Sequence, residues 1–148
     1  MIVLDTNVAS ELMRASPDGR VQAWVDAQFA GDLFLTAVSV AEILWGIARL
    51  PEGKRKQQML DTTEAMLKED FQGRLLAFDA ESAVHYAQLV QHRQSLGRPI
   101  GMADAQIAAI CLQHGAVLAT RNIKDFESLG LDLFNPWLSG PDEYGFGA

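Results

Sequence analysis

The sequence predicts a three-layer α/β/α sandwich around a central, mainly parallel sheet, and two observations carry that expectation. Short apolar runs at residues 2–4, 33–38, 75–78 and 116–119 are too brief for helices and suit strands buried on both faces. Between them lie longer segments whose apolar residues recur at helical spacing, so successive strands are joined by helical crossovers. At 148 residues the chain is long enough for one domain with a substantial core and short for two.

Taken in order, Ile2-Val3-Leu4 forms the first strand and stops at Asp5. Val21, Trp24, Val25, Gln28 and Phe29 mark a helix after the Pro17-Asp18-Gly19 turn. Following the strand at 33–38, Ile43, Ile47 and Leu50 define a helix that must end before Pro51, because proline lacks the N–H a helix interior requires. Met59, Met66 and Leu67 belong to a third, more polar helix. Ala83, Val84, Ala87, Val90 and Gln91 mark a fourth, with Asp79 as its N-cap and Gly97-Arg98-Pro99 at its end. Residues 102–114 are apolar almost all round, as a helix packed centrally on the sheet requires, and Gly115 suits its C-terminal stop. A domain over residues 1–137 is expected, with a flexible tail over 138–148 where the composition turns to Ser139-Gly140-Pro141. Trp45, in Ile43-Leu44-Trp45-Gly46-Ile47, has two readings: packed in the core, or projecting into a partner's groove.

Composition excludes several classes. Apolar residues make up 49% and charged residues 21%, which argues against disorder. No stretch reaches the roughly 18 apolar residues of a membrane span, and the first residues lack the basic start of a signal peptide, so a cytoplasmic, non-membrane protein is expected. Cys111 is the single cysteine and sits among apolar neighbours, where it reads as a small buried hydrophobe. The net charge of −7 disfavours a nucleic-acid partner unless acids gather around a cation that reverses the local field. Arg49, Lys54, Arg55, Lys56, Arg93, Arg98, Arg121 and Lys124 are candidates for a local basic track or for solvated helix faces.

The acids are the centre of interest. In open α/β sheets ligands lie beyond the carboxyl ends of the strands. Asp5 and the Thr120-Arg121-Asn122 corner occupy such ends, and Glu42 and Asp104 are expected in the first turns of their helices. Each has a plain structural reading as well. Ser39-x-x-Glu42 is a capping-box pattern, Asn122-x-x-Asp125 resembles one, and an acid such as Asp104 in a first turn favours the helix dipole. Asp5 resists such a reading, because an acid directly after a buried strand loses hydration without an obvious return. Two carboxylates ~4 Å apart repel by ~4 kcal/mol at an effective dielectric near 20, so a cluster requires cations or shared protons. Oxygen ligands favour Mg²⁺ or Mn²⁺, whereas His85, His92 and His114 make no zinc set.

Four blocks, Ile2-Val3-Leu4-Asp5-Thr6-Asn7, Thr36-Ala37-Val38-Ser39-Val40-Ala41-Glu42, Ala103-Asp104-Ala105-Gln106-Ile107-Ala108-Ala109 and Ala119-Thr120-Arg121-Asn122-Ile123-Lys124-Asp125-Phe126, together closely resemble the PIN-domain ribonucleases. Within these the chain is most similar to the VapC and FitB-like toxins of bacterial type II toxin–antitoxin pairs, which also close on a motif like Phe134-Asn135-Pro136-Trp137. The resemblance implies a PIN fold with strand order 3-2-1-4-5 and hydrolysis of single-stranded regions of RNA with Mg²⁺ or Mn²⁺. It places Asp5, Glu42 and Asp104 on the family's three acids, with Asp5 and Asp104 as principal metal ligands. Asp125 is a fourth acid beside Asn122, which stands where some relatives carry Asp. Thr6, Asn7 and Thr120 fall on polar positions that line the family's site. A homodimer and a cognate VapB- or FitA-like antitoxin, in a heterotetramer or larger assembly, are the implied partners. Two alternatives stand beside this reading: a catalytically weak PIN module that binds RNA or protein, and a haloacid-dehalogenase-type phosphatase using Asp5 as nucleophile.

Overall fold

The structure is a computed structural model that describes residues 1–138. The tail expected to be flexible lies, from residue 139 on, outside the described residues. Strands β1 (Ile2–Leu4), β2 (Leu33–Thr36), β3 (Leu75–Leu76), β4 (Val117–Ala119) and β5 (Leu133–Phe134) form one sheet in the order β3-β2-β1-β4-β5, with every pairing parallel. The central strand β1 pairs Ile2 with Leu33 on one side and with Val117 on the other. Six helices make the crossovers: α1 (Thr6–Leu12), α2 (Gly19–Asp26), α3 (Ala37–Ala48), α4 (Lys54–Ala65), α5 (Ala80–Ser95) and α6 (Met102–His114).

Alternation along β1 divides the core in two. Ile2 and Leu4 face a cluster with Val8 of α1, Trp24 of α2, and Ile43 and Ile47 of α3, closed by Met66, Phe71 and Trp137. Val3 faces the opposite layer, where α5 and α6 pack Leu89, Ala105, Ala108 and Cys111 beneath Phe126. The three-layer sandwich is therefore as expected, and Cys111 is fully buried among apolar side chains. Gly115 closes α6 in the left-handed conformation at φ 62°, which an L side chain rarely adopts. Among the described residues no helix is long and apolar enough to cross a membrane.

Several boundaries differ from the sequence reading for identifiable reasons. The second strand stops at Thr36 because the Thr36 hydroxyl accepts the Ser39 N–H at 3.0 Å and caps α3, turning Ala37 and Val38 into helix. Helix α2 ends at Asp26, leaving Phe29 outside it and exposed. Beyond α4 the chain continues through one π-helical turn, Met66–Asp70. β3 is a two-residue edge strand with Leu75 partly in solvent, not a strand buried on both faces. Trp45 is 63% exposed with the Arg49 guanidinium 5.2 Å from its ring centroid, so the core reading does not hold.

Candidate functional site

Asp5 anchors the site. Its N–H donates to the Ala119 carbonyl at 2.9 Å, extending the β1–β4 ladder by one residue and fixing the carboxylate at the sheet's carboxyl edge. One carboxylate oxygen accepts the Thr6 N–H at 2.8 Å and so caps α1. The other accepts the Thr120 hydroxyl at 2.7 Å and the Asn7 amide at 3.3 Å. With 4% exposure, Asp5 is a buried carboxylate surrounded by donors. Burial pushes its pKa up and the Glu42 charge adds to the rise, while the hydrogen bonds from Thr120, Thr6 and Asn7 oppose it.

Thr6 links Asp5 to α3. Its hydroxyl lies 2.7 Å from the Glu42 carboxylate and 2.9 Å from the Ser39 hydroxyl, so with one proton it donates to Glu42 and accepts from Ser39. Glu42 is exposed and is the sixth residue of α3, in the second turn rather than the first. The capping-box reading is excluded because Thr36 caps the helix. Thr120 is fully buried and is held by its own N–H on the Phe134 carbonyl and by the Asn122 N–H on its hydroxyl. Asn122 precedes a short 3₁₀ turn, Ile123–Phe126, without a side-chain cap bond, so the second capping pattern fails as well.

Asp104 lies in the first turn of α6, as expected, partly buried and with no side-chain cap at Gly101. Its pKa is pushed up to about 6 by burial and then by the charges of Asp5, Asp125 and Glu42, against the pull of Arg93. Four acids drawn from four segments thus share one electrostatic neighbourhood. All the donor atoms they offer are oxygens, which suits Mg²⁺ or Mn²⁺. Among the described residues, however, no three acidic, histidine or cysteine side chains form a ready-made cage. An all-oxygen set of this kind suits an ion that keeps several waters and takes one or two carboxylates, the habit of Mg²⁺. His85 and His92 face a separate cavity that His114 does not line.

One residue of the site escapes the sequence reading. Arg93, placed there among the surface cations, is 4% exposed. Its guanidinium donates to the carbonyls of Arg98, Asp125 and Glu127 at 2.8, 2.9 and 3.1 Å, clamping the turn that carries Asp125. The signal was its spacing, four residues after buried Leu89 on the inward stripe of α5. Asn7, where a dehalogenase-type phosphatase needs a second acid, is an amide bound to Asp5. Thr6 and Glu42 also border a cavity of about 730 Å³ between α1, α3 and α4, whereas another of about 770 Å³, beside Leu33 and Phe71, contains none of the four acids.

Comparison with known proteins agrees with the fold. The PIN domain family matches residues 2–130. The chain is 45% identical to VapC ribonuclease Y4jK of Sinorhizobium fredii over 93% of its own length and 98% of the relative's. It is 41% identical to the toxin FitB of Neisseria gonorrhoeae, covering 93% and 99% of the two chains. The solved structure of FitAB bound to an IR36 DNA fragment superposes with a TM-score of 0.88 at 40% identity, over 95% of this chain and 98% of that one. With a family match over most of its length, near full-length relatives above 40% identity and a superposing fold, the chain belongs to the PIN-domain family.

Proposed function

We propose that this protein is a metal-dependent endoribonuclease, the toxin of a type II toxin–antitoxin pair, hydrolysing phosphodiester bonds in single-stranded regions of RNA in the cytoplasm. The observation that carries the reading is the buried Asp5 carboxylate at the carboxyl edge of β1, held by Thr6 and Thr120 and joined to Glu42 through the Thr6 hydroxyl, with Asp104 in the first turn of α6 raised by the neighbouring acids. Asp5 and Asp104 would hold Mg²⁺ or Mn²⁺, with Glu42 and Asp125 available to a second ion. When bound, the ion lowers the pKa of water and offsets charge that builds on the phosphate and the leaving oxygen. Glu42, kept in place by the Thr6 hydroxyl, orients the attacking water and accepts its proton. Thr120 and Asn7 hold Asp5 in one orientation, and Asn122 offers an uncharged amide to water or substrate. No side-chain nucleophile is required.

The relatives that carry the names VapC ribonuclease and toxin FitB support this reading, as does the solved FitAB complex. A cognate antitoxin and a second copy of the chain complete the proposed assembly, and exposed Leu44 and Trp45 on α3 offer apolar surface for it. Asp104→Asn tests the site. It should lower Mg²⁺-dependent cleavage of single-stranded RNA by roughly a thousandfold or more while circular dichroism stays unchanged. Equal cleavage by a rigorously purified variant defeats the assignment. If the wild-type protein binds Mn²⁺ and RNA but cuts nothing, the module that binds without cleaving takes its place, a reading favoured by the amide at Asn122.

A further inference from the structure

We propose that Arg121, resting on Trp137, is a phosphate-binding arm that seats an RNA strand beside the acids; the inference rests on the ribonuclease reading. Arg121 directly follows Thr120, whose hydroxyl holds Asp5. Its backbone is pinned on both sides: the N–H donates to Asn7 Oδ1 at 3.3 Å, and the carbonyl accepts from Asn135 Nδ2 at 3.4 Å. Asn135 also accepts the Trp137 N–H through its Oδ1 at 3.0 Å, so one side chain holds arm and rest in register. The guanidinium carbon lies 5.0 Å from the Trp137 ring centroid, over a tryptophan that is itself 5% exposed.

Arg121 is exposed, and among the described residues no carboxylate pairs with it. Several other cations are engaged by hydrogen bonds or carboxylates: Arg93 with buried carbonyls, Arg98 with Glu127, Arg14 with Glu11, and Lys56 with Glu52. A protein of net charge −7 with acids at its active edge repels a polyanion, so a strand approaching Asp5 and Asp104 needs a cation close by. Stacking occupies the face of a guanidinium and leaves its N–H edge open, and that planar edge matches two phosphate oxygens. The indole limits the arm's freedom before RNA arrives, so less conformational entropy is lost on binding.

Fluorescence anisotropy of labelled oligouridine, titrated across a salt series, tests the proposal. Measurements use the Asp104→Asn background without divalent ions, so that bound RNA stays uncut. Arg121→Ala should weaken binding about tenfold at low salt. It should also flatten the slope of log K against log salt by about 0.7, the share of one phosphate contact on a single strand. Arg121→Lys should restore the slope but only part of the affinity. Unchanged affinity, or weaker binding with an unchanged slope, overturns the inference. So does a loss confined to polyglutamate peptide, which would reassign the cation to a protein partner. Cleavage of the same oligouridine by wild type with Mg²⁺ separates the two claims: binding through Arg121 without any cleavage defeats the ribonuclease reading and leaves the arm standing.

Discussion

The two halves of the acidic edge are held in opposite ways. Asp5 is fixed by neutral donors, accepting hydrogen bonds from Thr6, Asn7 and Thr120, and its backbone continues a sheet ladder. Among the described residues Asp104 and Asp125 have no such set; the Asp104 pKa is raised by burial and then by its fellow acids, and opposed by Arg93. Arg93 in turn grips the Asp125 turn by carbonyls and not by its carboxylate. The contrast teaches a division of labour. Neutral donors make a rigid half that exists before any ion arrives, and the charged half stays under electrostatic stress that an ion can relieve.

Three measurements sharpen or break that contrast. The largest effect on stability belongs to Arg93→Ala, which orphans the carbonyls of Asp125 and Glu127 and opens a cavity under their turn. Urea unfolding should show a loss of about 3 kcal/mol. A loss no larger than that of an exposed arginine would mean that the turn is held by something else. Next comes Thr120→Val, which keeps the shape but removes the hydroxyl from Asp5 and from the Asn122 N–H. A cost of about 1–3 kcal/mol is expected, and the Asp5 pKa should rise further by NMR titration. An Asp5 pKa unmoved by this change would show that its donors do not set it.

The smallest effect concerns Asp104 in the metal-free protein. Its folded pKa of about 6 lies above the ordinary 3.8, so the folded state binds more protons through that window. Stability from this group is therefore complete below pH 3.8 and is lost as the pH rises to about 6. Asp104→Asn should raise the Tm at neutral pH and leave it unaltered in acid near pH 3.8, and Mg²⁺ should close the neutral gap. An equal shift at both pH values would break the electrostatic account of this half.

Much of this was legible along the chain. Apolar runs such as Ile2-Val3-Leu4 can only be strands between two layers, and an acid placed directly behind one must find donors or a cation. The all-round apolar α6 and the glycine that ends it were equally plain, because helix period and left-handed backbone are local properties. β5, at two residues, is too short to announce itself, and α1 buries only Val8, Ala9 and Glu11 over its seven residues.

The order of residues alone therefore sets the alternation of elements and the presence of acids at their ends. Tertiary structure decided which partners those acids meet. The Thr120 hydroxyl reaches Asp5 across 115 positions, and Arg93 reaches the Asp125 carbonyl across 32. It also sent Arg93 inward and Trp45 outward, against the habits of their side chains. Periodicity records which face of an element turns away from water; it carries no record of what waits on the other side, because that is fixed only when the sheet closes and distant segments come within hydrogen-bonding range.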